Sequence, residues 1–306
     1  MNINRLKIWL KATRAPFLTG SIIPVSLGTA VAWSETGHFH LVYFLLALAG
    51  VSFLHLGTNL TNDYFDHKSG NDRLNKNFSQ FNGGSRVIQD NQISAKGILI
   101  FALACFTVGS LIGLWINHQF QTNVVLCLGL IGVFCGFFYT ATPLKIGYSG
   151  WGEAIVGLCF GPLVVLGSHY AQTQSFSWTT FWASIPIGIM IGLILYINEF
   201  PDYQADKAVA KNTLVVRLGK KKAVKVYNFL LAMTYVIIIF GVLIKLMPLY
   251  TLIALLTLPL ALKTMKVASS NYDKICELLP ANASTIGLHS LIGILLCAGF
   301  MLDKIL

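Results

Sequence analysis

The chain has 306 residues, 55% of them hydrophobic and only 11% charged, with a mean hydropathy of +0.67. A soluble domain carries about 25% charged residues, so these proportions exclude an ordinary soluble domain and point to a polytopic membrane protein. The formal net charge of +10 would suit nucleic acid, but the basic residues fall between apolar runs. Their bias therefore reads as membrane topology, with no nucleic-acid partner expected.

Residues 3–14 set Leu6, Ile8, Trp9 and Leu10 among Arg5, Lys7, Lys11 and Arg14, the pattern of a short helix lying in a membrane interface. The apolar stretch that follows ends near Ala30-Val-Ala32 and superficially resembles a signal peptide. Its length, with Pro16 and Pro24 inside it, favours a retained first helix. Hydropathy then gives nine candidate spans, at about 16–34, 41–62, 95–116, 123–142, 152–170, 179–200, 223–244, 247–264 and 284–302. With the N-terminus in the cytoplasm, 20 of the 22 Lys and Arg residues fall on the inside, leaving only Lys245 and Lys304 outside. That asymmetry supports nine spans, a cytoplasmic N-terminus and location in the plasma membrane among its lipids. One membrane domain over 1–306 is expected. The six cysteines are scattered through apolar runs without a C-x-x-C, so buried inert thiols are expected rather than disulfides or a zinc site.

Long polar stretches follow the second and sixth spans, about 63–94 and 201–222, and each begins with an acidic motif. In the first, Asn59, Asp63 and Asp66 lie at i, i+4 and i+7, one face if the helix continues. In the second, Asn198, Asp202 and Asp206 lie at i, i+4 and i+8. Carboxylates at the ends of membrane helices are costly unless a cation meets them. Carboxylate and amide oxygens suit Mg²⁺, a hard ion usually shared between a few carboxylates and substrate phosphates. The same inside segments carry cations fit for a diphosphate. Arg86 sits in a Gly83-Gly84-Ser85-Arg86 run, Lys211 and Arg217 follow the second motif, and Lys145 closes the fourth span. Such a set is what ionising an organic diphosphate requires, with an apolar bundle behind it to house a lipid tail.

Four blocks give this pattern a family likeness. They are Trp9 to Pro16 with Pro24 to Gly28; Asn59, Asn62, Asp63 and Asp66 with Gly70 and Asp72; Tyr139 to Pro143 through Tyr148 to Glu153; and Asn198 to Asp206 with Asn212 to Gly219. Together they resemble the UbiA superfamily of intramembrane aromatic prenyltransferases, and within it the 1,4-dihydroxy-2-naphthoate prenyltransferases of menaquinone synthesis. The likeness covers most of the chain and is weakest after about residue 225. It implies an all-α bundle of nine transmembrane helices around a central cavity with a cytoplasmic cap. It also implies Mg²⁺ held by Asp63, Asp66, Asp202 and Asp206, and a diphosphate held by Arg86, Lys145, Lys211 and Arg217. Asn59, Asn62, Asp72, Tyr139 and Asn198 would be further substrate contacts. The implied reaction transfers a polyprenyl group from its diphosphate to dihydroxynaphthoate, with loss of CO₂. The Tyr139-to-Lys145 spacing departs from the Tyr-x-x-x-Lys form of the hydroxybenzoate enzymes, which bears on the role of Lys145.

Several plainer readings stand beside these. Arg86 and Arg217 could instead meet anionic lipid headgroups. Asp72 could be an ordinary turn residue, and His55, one turn before Asn59, a satisfied interior histidine. Glu199 falls off the acidic face and Glu153 starts a span, both readable as structural. The same prenyl chemistry could serve hydroxybenzoate, a glyceryl phosphate lipid, chlorophyllide or haem. A CDP-alcohol phosphotransferase would need an Asp-Gly-x-x-Ala-Arg run, which the sequence lacks. A secondary transporter would place its acids near the bilayer midplane.

Overall fold

A computed structural model describes residues 3–306, with side-chain surroundings described from residue 5 onward. Among them the secondary structure is helical. Helix α1 (Ile3–Ala12) lays Trp9 edge-on against Phe101, ring centroids 4.8 Å apart, while Leu6 and Leu10 stay exposed. A tight turn through Arg14 leads into α2 (Thr19–Thr36), followed by α3 (Leu41–Ser69) and the four-residue α4 (Asn71–Leu74). Then come α5 (Ala95–Phe120), α6 (Val124–Phe138), α7 (Gly152–Leu158) and α8 (Val164–Thr173), the last two joined through a π-helical turn around Pro162. The chain ends with α9 (Trp178–Ala208), α10 (Leu214–Leu218), α11 (Lys220–Leu243), α12 (Leu258–Asn271) and α13 (Ile275–Ile305).

Among the described residues, eight helical stretches are long and apolar enough to cross a membrane. The fourth expected span is the apolar α6, whose 15 residues reach only about 22 Å along a helix axis, short of the roughly 30 Å hydrocarbon core. The two long helices run further than hydropathy alone indicates. α3 and α9 continue through both acidic motifs, to Ser69 and Ala208, so the motifs are helix ends and not the start of loops. The polar residues continue the helix because tertiary partners satisfy them, a contribution hydropathy does not count.

The largest apolar core joins α2, α9, α11 and α13 through Leu27, Ile187, Tyr196, Tyr227 and Leu288. A second core, with Leu60, Val87, Ile98 and Ala102, ties α3 to α5 and holds the loop after α4 against them. That loop is thereby pinned over one end of the bundle. The six cysteines are all free. Cys105 is buried, but Cys127 and Cys276 are exposed.

Candidate active site

The ends of α3 and α9 meet at the end of the bundle covered by the 70–94 loop. Asp66 lies in the last turn of α3 and Asp206 in the last turn of α9. The negative ends of the two helix dipoles add to the potential of the carboxylates. That concentration of negative charge calls for cations, and the protein supplies two. Lys211 places its Nζ 3.2 Å from Asp66 Oδ2 and 3.6 Å from Asp206 Oδ1, so it bridges the two motifs. Burial by itself disfavours the Lys211 ammonium, but Asp206 and Asp66 outweigh it and hold its pKa well above the ordinary lysine value. Arg14 donates to Asn62 Oδ1 at 3.1 Å and pairs with Asp63. Burial again opposes its charge, and Asp63 more than restores it, raising its pKa.

Amides and a phenol fill the remaining positions. Asn71 donates to Asp206 Oδ1 at 2.8 Å, while Asn75 and Asn82 both donate to Asp202 Oδ1, Asn75 at 2.6 Å. Tyr148 donates to Asp66 Oδ1 at 3.0 Å, and Asn62 donates to Asp66 Oδ2 at 3.2 Å. The loop after α4 thus reaches across from the first motif and grips the second. Its path depends on Gly83 and Gly84, at φ +76° and +73°. A Cβ on Gly84 would sit 2.8 Å from Asp72 Oδ2, so only glycine lets the backbone pass this close. Asp72 is buried and accepts from Gln89 at 3.0 Å. Burial, with the nearby Asp66 and Asp63 charges, pushes its carboxyl up to about 8.

Apart from Asp63, Tyr148 and Gln89, these side chains line a polar cavity of about 200 Å³, together with Asn59, Tyr139, Asn198 and Glu199. Directly beneath it lies an apolar cavity of about 300 Å³ between α3, α5, α6 and α8, running from Tyr139 to Leu46. The two share His55, Thr58, Tyr139, Val156 and Phe160. Gly147 and Gly152 seat the Tyr139 ring, since a Cβ on either would come within 2.9 Å of its Cζ or Oη.

The expected site residues divide on placement. Asp66, Asp202, Asp206, Lys211, Asn59, Asn62, Asn198, Asp72 and Tyr139 all line the polar cavity. Asp63 does not. It is buried behind the lining, held by Arg14 and the Ser85 backbone N–H at 3.3 Å, because its four-residue step from Asn59 overshoots one turn and rotates it away from Asp66. Arg86, Lys145 and Arg217 do not line the cavity either. Arg86 donates to the Asp72 carbonyl at 2.7 Å and stacks on Phe78, and Arg217 is exposed and donates to the Asn212 carbonyl at 3.0 Å. Lys145 lies over the Tyr148 ring, 5.1 Å from its centroid. The cations that do reach the interior are Lys211 and Arg14, and the sequence reading counted Arg14 only toward topology and family likeness. Asn71, Asn75 and Asn82 were equally unmarked, although an asparagine-rich stretch before Gly83-Gly84 was their visible signal. Glu199 lines the cavity, because a cavity wrapping a helix end admits residues 100° apart. Glu153 instead accepts from the Leu214 N–H at 2.8 Å and anchors α10. His55 is bonded to Ser21 Oγ at 2.9 Å, as an interior histidine would be, and yet it lines both cavities.

The donor set fits a divalent cation of the magnesium kind. No three His, Cys, Asp or Glu side chains among the described residues converge on one point, but Mg²⁺ keeps waters and takes only one or two carboxylates plus phosphate oxygens. Asp206 Oδ2 is buried and has no partner, a cost that a bound cation would remove.

A membrane-embedded helical bundle that gathers carboxylates and cations at one end, over an apolar chamber, defines an enzyme class that grips an anionic head and buries a greasy tail. Comparison with known proteins agrees with that class. The chain matches the UbiA prenyltransferase family over residues 21–284 and belongs to that family. It is 30% identical to a 2-carboxy-1,4-naphthoquinone phytyltransferase of Synechocystis sp., over 96% of this chain and 93% of that one. It is likewise 30% identical to a 1,4-dihydroxy-2-naphthoate octaprenyltransferase of Bacillus subtilis, over 97% and 92% of the two chains. Among solved structures, a UbiA homolog from Archaeoglobus fulgidus bound to GPP and Mg²⁺ superposes with a TM-score of 0.62 at 16% identity, covering 95% of this chain and 99% of that one. The protein is a prenyltransferase.

Proposed function

We propose that the protein transfers a polyprenyl group from its diphosphate to 1,4-dihydroxy-2-naphthoate, releasing diphosphate and CO₂, at the cytoplasmic face of the plasma membrane. The observation that carries this reading is the convergence of two acidic motifs, 140 positions apart between Asp66 and Asp206, on one lysine at the mouth of an apolar chamber. The acceptor follows from the names of the two bacterial relatives, both of which act on carboxylated naphthalene rings.

On this reading Asp66, Asp202 and Asp206 would hold Mg²⁺, which when bound would supply positive charge to the diphosphate and make it a better leaving group. Lys211, whose ammonium bridges Asp66 and Asp206 at the cavity wall, would meet the negative charge that builds as the allylic C–O bond breaks. Arg14, which lines the same cavity, would do the same. Asp63 then acts by orienting Arg14. The tail lies in the apolar cavity, which puts the allylic carbon at the junction lined by Tyr139, Phe160 and His55. Aromatic faces there stabilise the developing cation without quenching it, and the apolar walls exclude water that would hydrolyse it. The ring carbon attacks the cation, the bond from ring to carboxylate breaks, and its electron pair restores aromaticity as CO₂ leaves.

The test is an assay of purified protein with dihydroxynaphthoate, hydroxybenzoate and a series of prenyl diphosphates, with Mg²⁺ or with EDTA. Product with dihydroxynaphthoate only in the presence of Mg²⁺ supports the reading. Turnover that persists in EDTA, or survives both Asp66→Ala and Asp202→Ala, removes it. Exclusive use of another acceptor removes the naphthoate assignment alone.

A further inference from the structure

Asn59 and Asn198 hold matching places in the two motifs, each four residues before an aspartate, and both line the polar cavity. Their amides are nevertheless turned in opposite senses. Asn59 Nδ2 donates to the Thr13 carbonyl at 3.3 Å. A carbonyl can only accept, so the nitrogen is committed there and Oδ1, which has no partner among the described residues, is the end left for the cavity. Asn198 is fixed the other way by a residue on α13. Asn282, fully buried, donates through Nδ2 to the Ile197 carbonyl at 3.1 Å and to Asn198 Oδ1 at 2.7 Å.

The Ile197 carbonyl is available because Pro201, four residues on, has no N–H to close the helical hydrogen bond. An acceptor-only carbonyl sets the sense of the Asn282 amide, and Asn282 in turn sets that of Asn198. The Asn198 NH₂ makes no hydrogen bond among the described residues and is the end presented to the cavity.

We propose that the two half-sites carry opposite polarity: Asn59 offers an oxygen suited to a cation or its water, and Asn198 offers N–H donors to the oxygens of the substrate diphosphate. Asn282 is the positioning residue that holds Asn198 in that sense. The assignment rests on reading the cavity as a prenyl diphosphate site. The physical consequence is that a carboxylate is an adequate replacement at Asn59 and a damaging one at Asn198, where it would remove the donors and face an anion with an anion.

The experiment compares Asn59→Asp, Asn198→Asp, Asn198→Ala, Asn282→Ala, the Asn198→Ala/Asn282→Ala pair and Pro201→Ala/Asn282→Ala. Four quantities are read: KM for geranyl diphosphate, half-saturating Mg²⁺, thermal stability, and the gain in thermal stability given by inorganic diphosphate with Mg²⁺. Asn59→Asp should hold or tighten half-saturating Mg²⁺ and change the diphosphate readouts far less than Asn198→Asp does. Asn198→Asp should weaken both diphosphate readouts by about tenfold or more, the scale of one hydrogen bond to a charged group. Asn282→Ala should weaken them too, with no further loss when Asn198 is already alanine. Alanine at 201 returns an N–H to the Ile197 carbonyl, so Pro201→Ala/Asn282→Ala should recover the thermal stability lost in Asn282→Ala but not its KM. Equal tolerance of aspartate at both positions, multiplying losses in the double variant, or recovery of KM together with stability would each overturn the assignment. A parent protein that binds neither geranyl diphosphate nor inorganic diphosphate would sink the prenyl diphosphate reading itself, a result distinct from these.

Discussion

Lys211→Met removes the ammonium that bridges the two motifs while keeping most of the side-chain stem. At an effective dielectric of about 20, unit charges 3.2 and 3.6 Å apart attract by about 5 kcal/mol each, a gross figure that desolvation of the lysine largely offsets. The relevant net quantity is the penalty for leaving buried carboxylates unpaired, about 3–5 kcal/mol when one partner of a buried pair is removed. Asp66 and Asp206 are 5% and 1% exposed, so water cannot compensate them. Unfolding of the detergent-solubilised variant in EDTA should show a loss of that order. Because Mg²⁺ supplies the missing positive charge, saturating Mg²⁺ should recover more than half of it. Activity should not recover in parallel, since Lys211 also meets the leaving diphosphate. A fall in kcat/KM of about 100-fold or more is expected, the scale of losing one preorganised charge stabiliser. A variant as stable as the parent in EDTA, or a loss that Mg²⁺ leaves untouched, would refute the idea that Lys211 stands where a divalent cation is needed.

Other outcomes follow from the same geometry. The Asp72 carboxyl is raised from its ordinary 3.8 to about 8, so the folded protein holds a proton that the unfolded chain has lost. In the absence of metal, stability should therefore fall as pH rises from about 4 to about 8, and Asp72→Asn should flatten that slope in pH-dependent unfolding. Arg14→Ala should leave Asp63 buried without its cation and cost about 3–5 kcal/mol, whereas Arg217→Ala, at an exposed site, should stay within about 0.5 kcal/mol. Gly113 and Gly129 line the apolar chamber, and a Cβ on either would meet nothing within 4 Å. Leucine at these positions should fill tail space, lowering kcat/KM for geranylgeranyl diphosphate by about tenfold while sparing dimethylallyl diphosphate. Equal effects on both donors would show that the chamber does not hold the tail.

Much of this protein is legible in its residues taken in order. The membrane class, the positions of the apolar helices and the two acidic motifs follow from hydropathy and from four- and seven-residue spacings, because these depend only on local helix geometry. The two cations that follow the second acidic motif illustrate the limit. Lys211 and Arg217 are six residues apart and both cationic, yet one bridges Asp66 and Asp206 and the other faces outward, a distinction set by the turn after Ala208 and not by charge. Asp63 and Asp66 are likewise alike in the sequence. Their different surroundings, Arg14 with the Ser85 N–H for one and the open cavity for the other, depend on where the 70–94 loop is pinned. Arg14, Asn71, Asn75, Asn82 and Asn282 acquire their meaning only from partners 48 to 135 positions away. Local periodicity determines which face of a helix a side chain occupies. Which charge or amide stands opposite, and so whether a carboxylate is held, spent or open to a ligand, is decided by the packing of distant helices.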